Sequence, residues 1–145
     1  MKTFVLLAVS IVLVGIVLVG ILFCPTVMAF LSIPDDVQMV QPDPSLPKEL
    51  SAFFGKWRGI SGNQEFFLIV EKIGREWARL YHWRTGGPRR GSPGWHRKKA
   101  EVIQDREKYK LRFIGAEGTN ELTLRGEYLD WSGPNALSIV LTRVP

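Results

Sequence analysis

The chain of 145 residues has one cysteine, two histidines and no charged side chain between Thr3 and Pro34. Each scarcity excludes something. A lone cysteine, Cys24, cannot form an internal disulfide, so the fold must be held by packing and hydrogen bonding. His82 and His96 are the only imidazoles, and no His-Glu-x-x-His, Gly-x-Ser-x-Gly or phosphate-cradling glycine loop occurs. The usual signatures of metalloproteases, serine hydrolases and nucleotide-binding enzymes are therefore missing. There is no heptad pattern and no repeat at a period of about 20–50 residues. The length beyond the uncharged start suits one small domain, which excludes a multidomain enzyme, a repeat array and a polytopic transporter.

The start is an apolar run from Phe4 to Phe23, interrupted only by Ser10, Gly15 and Gly20. At roughly 1.5 Å per residue a helix of that length reaches about 30 Å, the hydrocarbon thickness of a bilayer. Signal-peptide cores are shorter, about 7–15 residues, which favours a retained transmembrane helix within residues 1–31. Pro25 and the small residue ending Val27-Met28-Ala29 favour a cleaved signal instead. Both readings stay open. A lipid-modified Cys24 fits less well, because bulky Phe23 precedes it. Lys2 lies before the run, and Asp35 and Asp36 are the first charges after it, so the remainder should face away from the cytoplasm. The expected location is the cell membrane, single-pass with the C-terminal domain outside, or a secreted or periplasmic form cut near Ala29.

Residues 32–47 carry Pro34, Pro42, Pro44 and Pro47, with Pro25 upstream. Such a segment favours extended geometry and is expected to be a tether holding the domain off the bilayer. From Lys48 the pattern changes to short runs between turn residues. The runs are Trp57–Ile60, Glu65–Ile73, Trp77–Trp83, Trp95–Gln104, Tyr109–Ile114, Asn120–Arg125, Tyr128–Trp131 and Ala136–Arg143. Eight short strands at close spacing predict an all-β domain over 48–145. Apolar and polar residues alternate in Tyr109–Phe113 and Glu121–Arg125, and Leu137, Ile139 and Leu141 share one face. Tight turns imply antiparallel neighbours, and closure removes exposed edges. The fold expected is a small eight-stranded antiparallel up-and-down β-barrel, with a flattened two-sheet sandwich as the alternative.

Leu50 to Trp57 reads Leu-Ser-Ala-Phe-Phe-Gly-Lys-Trp. This resembles the entry to a calycin barrel, the superfamily of lipocalins, fatty-acid-binding proteins and avidins. The chain from Phe54 to Arg143 also resembles small exported lipocalin-like domains of bacteria, through Phe54-Gly55-x-Trp57-x-Gly59, Val70–Ile73 and Ala78-x-Leu80-Tyr81-x-Trp83. The resemblance implies that Gly55 and Trp57 form the Gly-x-Trp of the first strand. It also implies that Trp57 plugs one end of the barrel and Arg143 covers its indole. About eight strands leave an interior only just wide enough for side chains or one small ligand.

Aromatic residues offer the first candidate site. Arg79, Tyr81 and Trp83 on the third run, with Trp95 and Phe113, could line a pocket for a small hydrophobic ligand, Arg79 and Tyr81 acting as polar anchors. The same aromatics could instead fill the core, since such side chains bury the largest areas. The sequence does not say which face of Trp77–Trp83 turns inward. A metal or haem site would need His82 or His96, with a carboxylate such as Glu101 or Asp130, and no metal-ligand spacing supports it. No cofactor and no catalysis are expected.

Charge offers the second. From Asp35 onward there are 18 bases and 14 acids, and six of the bases (Arg84, Arg89, Arg90, Arg97, Lys98, Lys99) fall in 84–99, which has no acid. Without them the balance is 12 bases against 14 acids, so this one segment makes the domain basic. An outward-facing compartment argues against nucleic acid as partner. Anionic lipid or an acidic envelope polymer fits better, and a solvated loop needs no partner at all. Two functions follow. The first is a tethered or exported barrel binding a small hydrophobic ligand. The second is an interaction module with a filled barrel, its basic segment meeting an anionic surface or a protein.

Overall fold

The computed structural model describes residues 33–84, 94–106 and 108–145. The helix expected within 1–31 lies outside the described residues, as do Arg89 and Arg90. No helix among the described residues is long and apolar enough to cross a membrane. A short helix α1 (Lys48–Ser51) leads into β1 (Gly55–Ser61), β2 (Gln64–Ile73), β3 (Trp77–Arg84), β4 (Gly94–Asp105), β5 (Lys108–Ile114), β6 (Thr119–Arg125), β7 (Tyr128–Gly133) and β8 (Leu137–Val144). Each strand pairs antiparallel with the next, and β8 returns to β1, so the sheet closes into a barrel. The expected strands are all present, seven extended by a residue or two and the last shifted by one, and the two-sheet alternative is not what forms.

Alternation decides the interior. Leu68, Leu80, Leu111, Leu122, Leu129 and Leu141 point inward from six strands and are all fully buried. Phe113, Trp131 and Ile139 join them in a single cluster that also takes in Leu46, Leu50 and Phe53 from the chain entering the barrel. Burying each such side chain contributes about 1.5–3 kcal/mol, enough to stand in for the missing disulfides. Gly59 marks how closely the wall packs: a Cβ there would lie 2.6 Å from both Leu141 Cδ2 and the Val140 carbonyl oxygen.

Closure is made at one end. β1 and β8 share only three register pairs, Lys56↔Val144, Trp57↔Arg143 and Arg58↔Thr142. Trp57 is buried beneath Arg143, whose guanidinium carbon sits 4.3 Å from the indole centroid. That guanidinium donates to the carbonyls of Phe54 and Ala52, each at 2.6 Å, while Trp57 Nε1 donates to Phe53 at 3.0 Å. Gly55 has φ +129°, and a Cβ there would meet Arg143 Nη1 at 2.5 Å. Glycine at 55 thus supplies both the backbone angle and the space for the arginine. At the opposite end Trp131 Nε1 donates to Asn120 Oδ1 at 2.9 Å, and Asn120 is buried between Gly115 and Gly133.

The proline-rich segment differs from the expected free tether. Val40 N donates to the Glu71 carbonyl at 2.8 Å, Gln38 N donates to Glu71 Oε1 at 3.1 Å, and Leu46 enters the core. The prolines remove donors only at their own positions. Gln38 and Val40, which lie between them, dock the chain as a strap on β2.

Gly55→Ala should cost about 2 kcal/mol or more, lowering the melting temperature by on the order of 10 °C. Gly126→Ala is the control: φ is +63° there, but nothing lies within 4 Å of the added carbon. Calorimetry of the two variants separates the contribution of Arg143 from backbone strain. An equal loss in both would show that the arginine contributes nothing.

Candidate functional site on the outer face of the barrel

On β3, Ala78, Leu80 and His82 are buried in the interior. By the period-2 rule Trp77, Arg79, Tyr81 and Trp83 face outward. β4 pairs in register with it (Tyr81↔Arg97, His82↔His96, Trp83↔Trp95), so Trp95, Arg97 and Lys99 share that outer face. Four of the five residues expected to line a pocket therefore stand outside the barrel, and only Phe113 is within it. Sequence alone left the face of β3 open because both of its faces carry large and polar residues.

The outer aromatics form a connected patch. Trp95 lies 5.4 Å from Tyr81, 5.9 Å from Trp83 and 6.4 Å from Phe67, between ring centroids. Cations cap the rings: Arg58 over Phe67 at 5.5 Å, Arg97 over Tyr81 at 4.6 Å, and Lys72 and Lys99 over Trp77 at 5.3 and 5.5 Å. Arg58 also pairs with Glu65.

Beneath the patch sits a residue that sequence reasoning passed over. The β2–β3 register shifts between Val70 and Lys72, making Glu71 the extra residue of a β-bulge. Two consecutive residues then face outward, and Glu71 is fully buried under the strap. Arg97 Nε donates to its Oε2 at 3.0 Å and Arg97 Nη2 to its Oε1 at 3.1 Å. Arg79 Nε adds an ion-pair contact at 3.0 Å, without the alignment of a hydrogen bond. Arg97 Nη2 also donates to the Asp36 carbonyl at 3.0 Å and pairs with its carboxylate at 3.2 Å. The bonds to Glu71 push the Arg97 pKa still higher than its ordinary value, so this guanidinium stays charged. Tyr81 donates to Asp36 Oδ1 at 3.3 Å, and desolvation together with the Asp36 charge raises its phenol above the usual tyrosine range. The signal in the sequence was Glu71-Lys72, two charged residues in succession directly after the apolar run Phe66–Val70.

The three bases of 84–99 whose side chains are described, Arg97, Lys98 and Lys99, do not make one surface. Arg97 is taken up by Glu71 and Asp36, Lys99 lies over Trp77, and Lys98 shares the phase of His96 and buried Ala100. Lys98 is half-buried, with no hydrogen bond or ion pair among the described residues. His82 packs against His96, Phe113 and Trp131, with centroids 5.7–5.9 Å away. Asp130 instead pairs with Arg125, and Glu101 lies on the outer phase of β4. No group of three metal-binding side chains occurs among the described residues.

Two grooves follow the strap. One of about 660 Å³ is lined by Pro42, Leu46, Lys72, Ile73 and Arg75 among others, and one of about 400 Å³ by Lys48, Ser51, Phe54 and Arg143 with strap residues. Both are open surface features. No family model, no curated protein and no solved structure matches the chain.

Glu71→Gln keeps the shape of the side chain but leaves two arginines without their shared charge. Breaking a buried pair costs about 3–5 kcal/mol, and the partial exposure of both arginines brings the expectation down to about 2–3 kcal/mol. Amide exchange at Gln38 and Val40 should quicken well beyond the rest of the barrel; uniform quickening would show that Glu71 serves the core and not the strap. A raised Tyr81 pKa also gives a sign for alkali. Its contribution is complete below the unfolded tyrosine pKa and is lost as pH rises through the folded value. Tyr81→Phe should remove that alkaline loss, and pH-dependent melting curves of the two proteins measure it.

Proposed function

We propose that this chain is a non-catalytic interaction module, exported or tethered at the cell membrane, in which a filled calycin-like barrel presents its outer β3–β4 face to an anionic surface. One observation carries this reading. Arg79, Tyr81, Trp83 and Trp95 stand outside the barrel, while Ala78, Leu80 and Ala100, facing inward from the same strands, belong to the core cluster. A small hydrophobic ligand would have to displace core side chains; an external partner would meet the aromatics and cations as they stand. The sequence of 84–99, six bases without an acid, belongs to these two strands and their connection. The likeness to lipocalins rests on Gly55, Trp57 and Arg143 and speaks for the barrel more than for a ligand.

The full chain in uncharged detergent micelles permits a direct test, titrated in turn with a fluorescent long-chain fatty acid and with a short-chain phosphatidylglycerol. The anionic lipid should perturb the amides of β3 and β4 in a salt-dependent way. Arg89→Gln, Arg90→Gln and Lys99→Gln together should weaken it by about tenfold to a hundredfold, since each base near an anionic surface contributes about 1 kcal/mol. Saturable one-to-one uptake of the fatty acid, with shifts at Phe113 and Trp131, would overturn the reading in favour of an interior ligand.

A further inference from the structure

Resting on that reading, we infer that the anionic surface is a phospholipid bilayer, and that the barrel docks on it through Ile60, Phe67, Trp83 and Trp95. Three observations converge on these residues. The first is composition. Ile60 is 66% exposed, although it lies on a strand whose inward positions are fully packed. It stands on the outer phase of β1, two register pairs beyond Arg58↔Phe67, and Phe67 touches Trp95, which touches Trp83. An exposed aliphatic residue and two half-buried indoles on the outer faces of neighbouring strands, with cations over the rings near them, have the make-up of a surface that sits at headgroup depth, where indole rings are favoured.

The second is charge. The strand ends that carry Trp83 and Trp95 are joined in the sequence by a stretch holding Arg84, Arg89 and Arg90 and no acid. Among the described residues Glu65 is engaged by Arg58, Glu71 by Arg79 and Arg97, and Asp36 by Arg97 and Tyr81, while Asp35 is exposed. In the sequence, three cations and no acid thus lie between Trp83 and Trp95.

The third is the path of the chain. Asp36 is held by Tyr81 and Arg97, and Tyr81 is the neighbour of Trp95. The strap therefore begins on the same face as the patch. Only twelve residue steps separate Asp36 from Cys24 at the end of the apolar run. Fully extended they reach about 40 Å, so a membrane-held N-terminus would confine this face near the bilayer at high effective concentration. A weak patch is then sufficient.

The test uses the full chain reconstituted in nanodiscs of zwitterionic lipid or of lipid rich in phosphatidylglycerol, each with acyl chains brominated at a shallow position. Quenching of tryptophan emission should be at least about twofold greater in the anionic discs, because headgroup attraction brings the patch to the interface. The double variant Trp83→Phe/Trp95→Phe should lose that difference, since Trp57 and Trp131 are buried and Trp77 lies on the far part of β3. Ile60→Glu, at an exposed position that leaves the core untouched, should lower the quenching of the native tryptophans. Equal quenching in the two lipids, or quenching that survives loss of both tryptophans, overturns the docking face. If the soluble anionic lipid still binds β3–β4 but no quenching occurs, the partner is a soluble acidic polymer or protein: the bilayer inference falls and the interaction reading stands. If neither is seen, both fall.

Discussion

Everything in this barrel depends on joining its first strand to its last. Only three register pairs link β1 to β8, and Arg143 compensates for their small number by binding three things at once. It covers the Trp57 indole, accepts no burial cost it cannot answer with hydrogen bonds, and ties the carbonyls of Ala52 and Phe54 to the end of the chain. An arginine suits this because a flat guanidinium can lie on a ring while its edge donors stay in plane with carbonyl oxygens. Lysine would supply the charge without the plane. Closure in turn fixes which side of every strand faces in, and so decides what the outside can offer.

A closed sheet of eight short strands has little interior to spare. Here that space goes to leucines and to Phe113, Trp131 and Trp57, with Asn120 answering the indole N–H that would otherwise be buried unpaired. With these side chains turned inward, charge has to be accommodated on the outer face. β2 shows how: its bulge at Glu71 turns a carboxylate outward without shifting Val70 or Ile73 from the core. The buried carboxylate then holds Arg79, Arg97 and the strap's Gln38 amide on one side of the barrel.

Much of the architecture was legible because it is written in short-range rules. Alternation in Tyr109–Phe113 and the apolar triplet of β8 identify their inward faces directly, and turn residues set strand ends to within a residue or two. The motif Phe54-Gly55-Lys56-Trp57 pointed to the closed end for a reason now visible in the contact between Gly55 and Arg143. β3 resisted because its inward set, Ala78, Leu80 and His82, is smaller than its outward set, Arg79, Tyr81 and Trp83. Size suggests the opposite orientation, and only the neighbouring strands decide it. The strap resisted for another reason: its anchor joins residues 26 and 33 positions apart in sequence, and proline content speaks only to local backbone.

The strap also changes how the basic segment should be understood. Counted along the chain, Arg97 is one of six like charges; in the fold it is bound by two carboxylates and stacked on a tyrosine. The strap's Asp36 thus acts as an internal anion for one part of the outer face. An external anion has to compete there with a partner that is covalently attached. The placement follows from geometry: the strap docks Gln38 and Val40 at the bulge, so Asp36 falls beside Tyr81 and Arg97. What looked like a single basic patch therefore contains one arginine that the protein neutralises itself, and that arginine orients the entering chain.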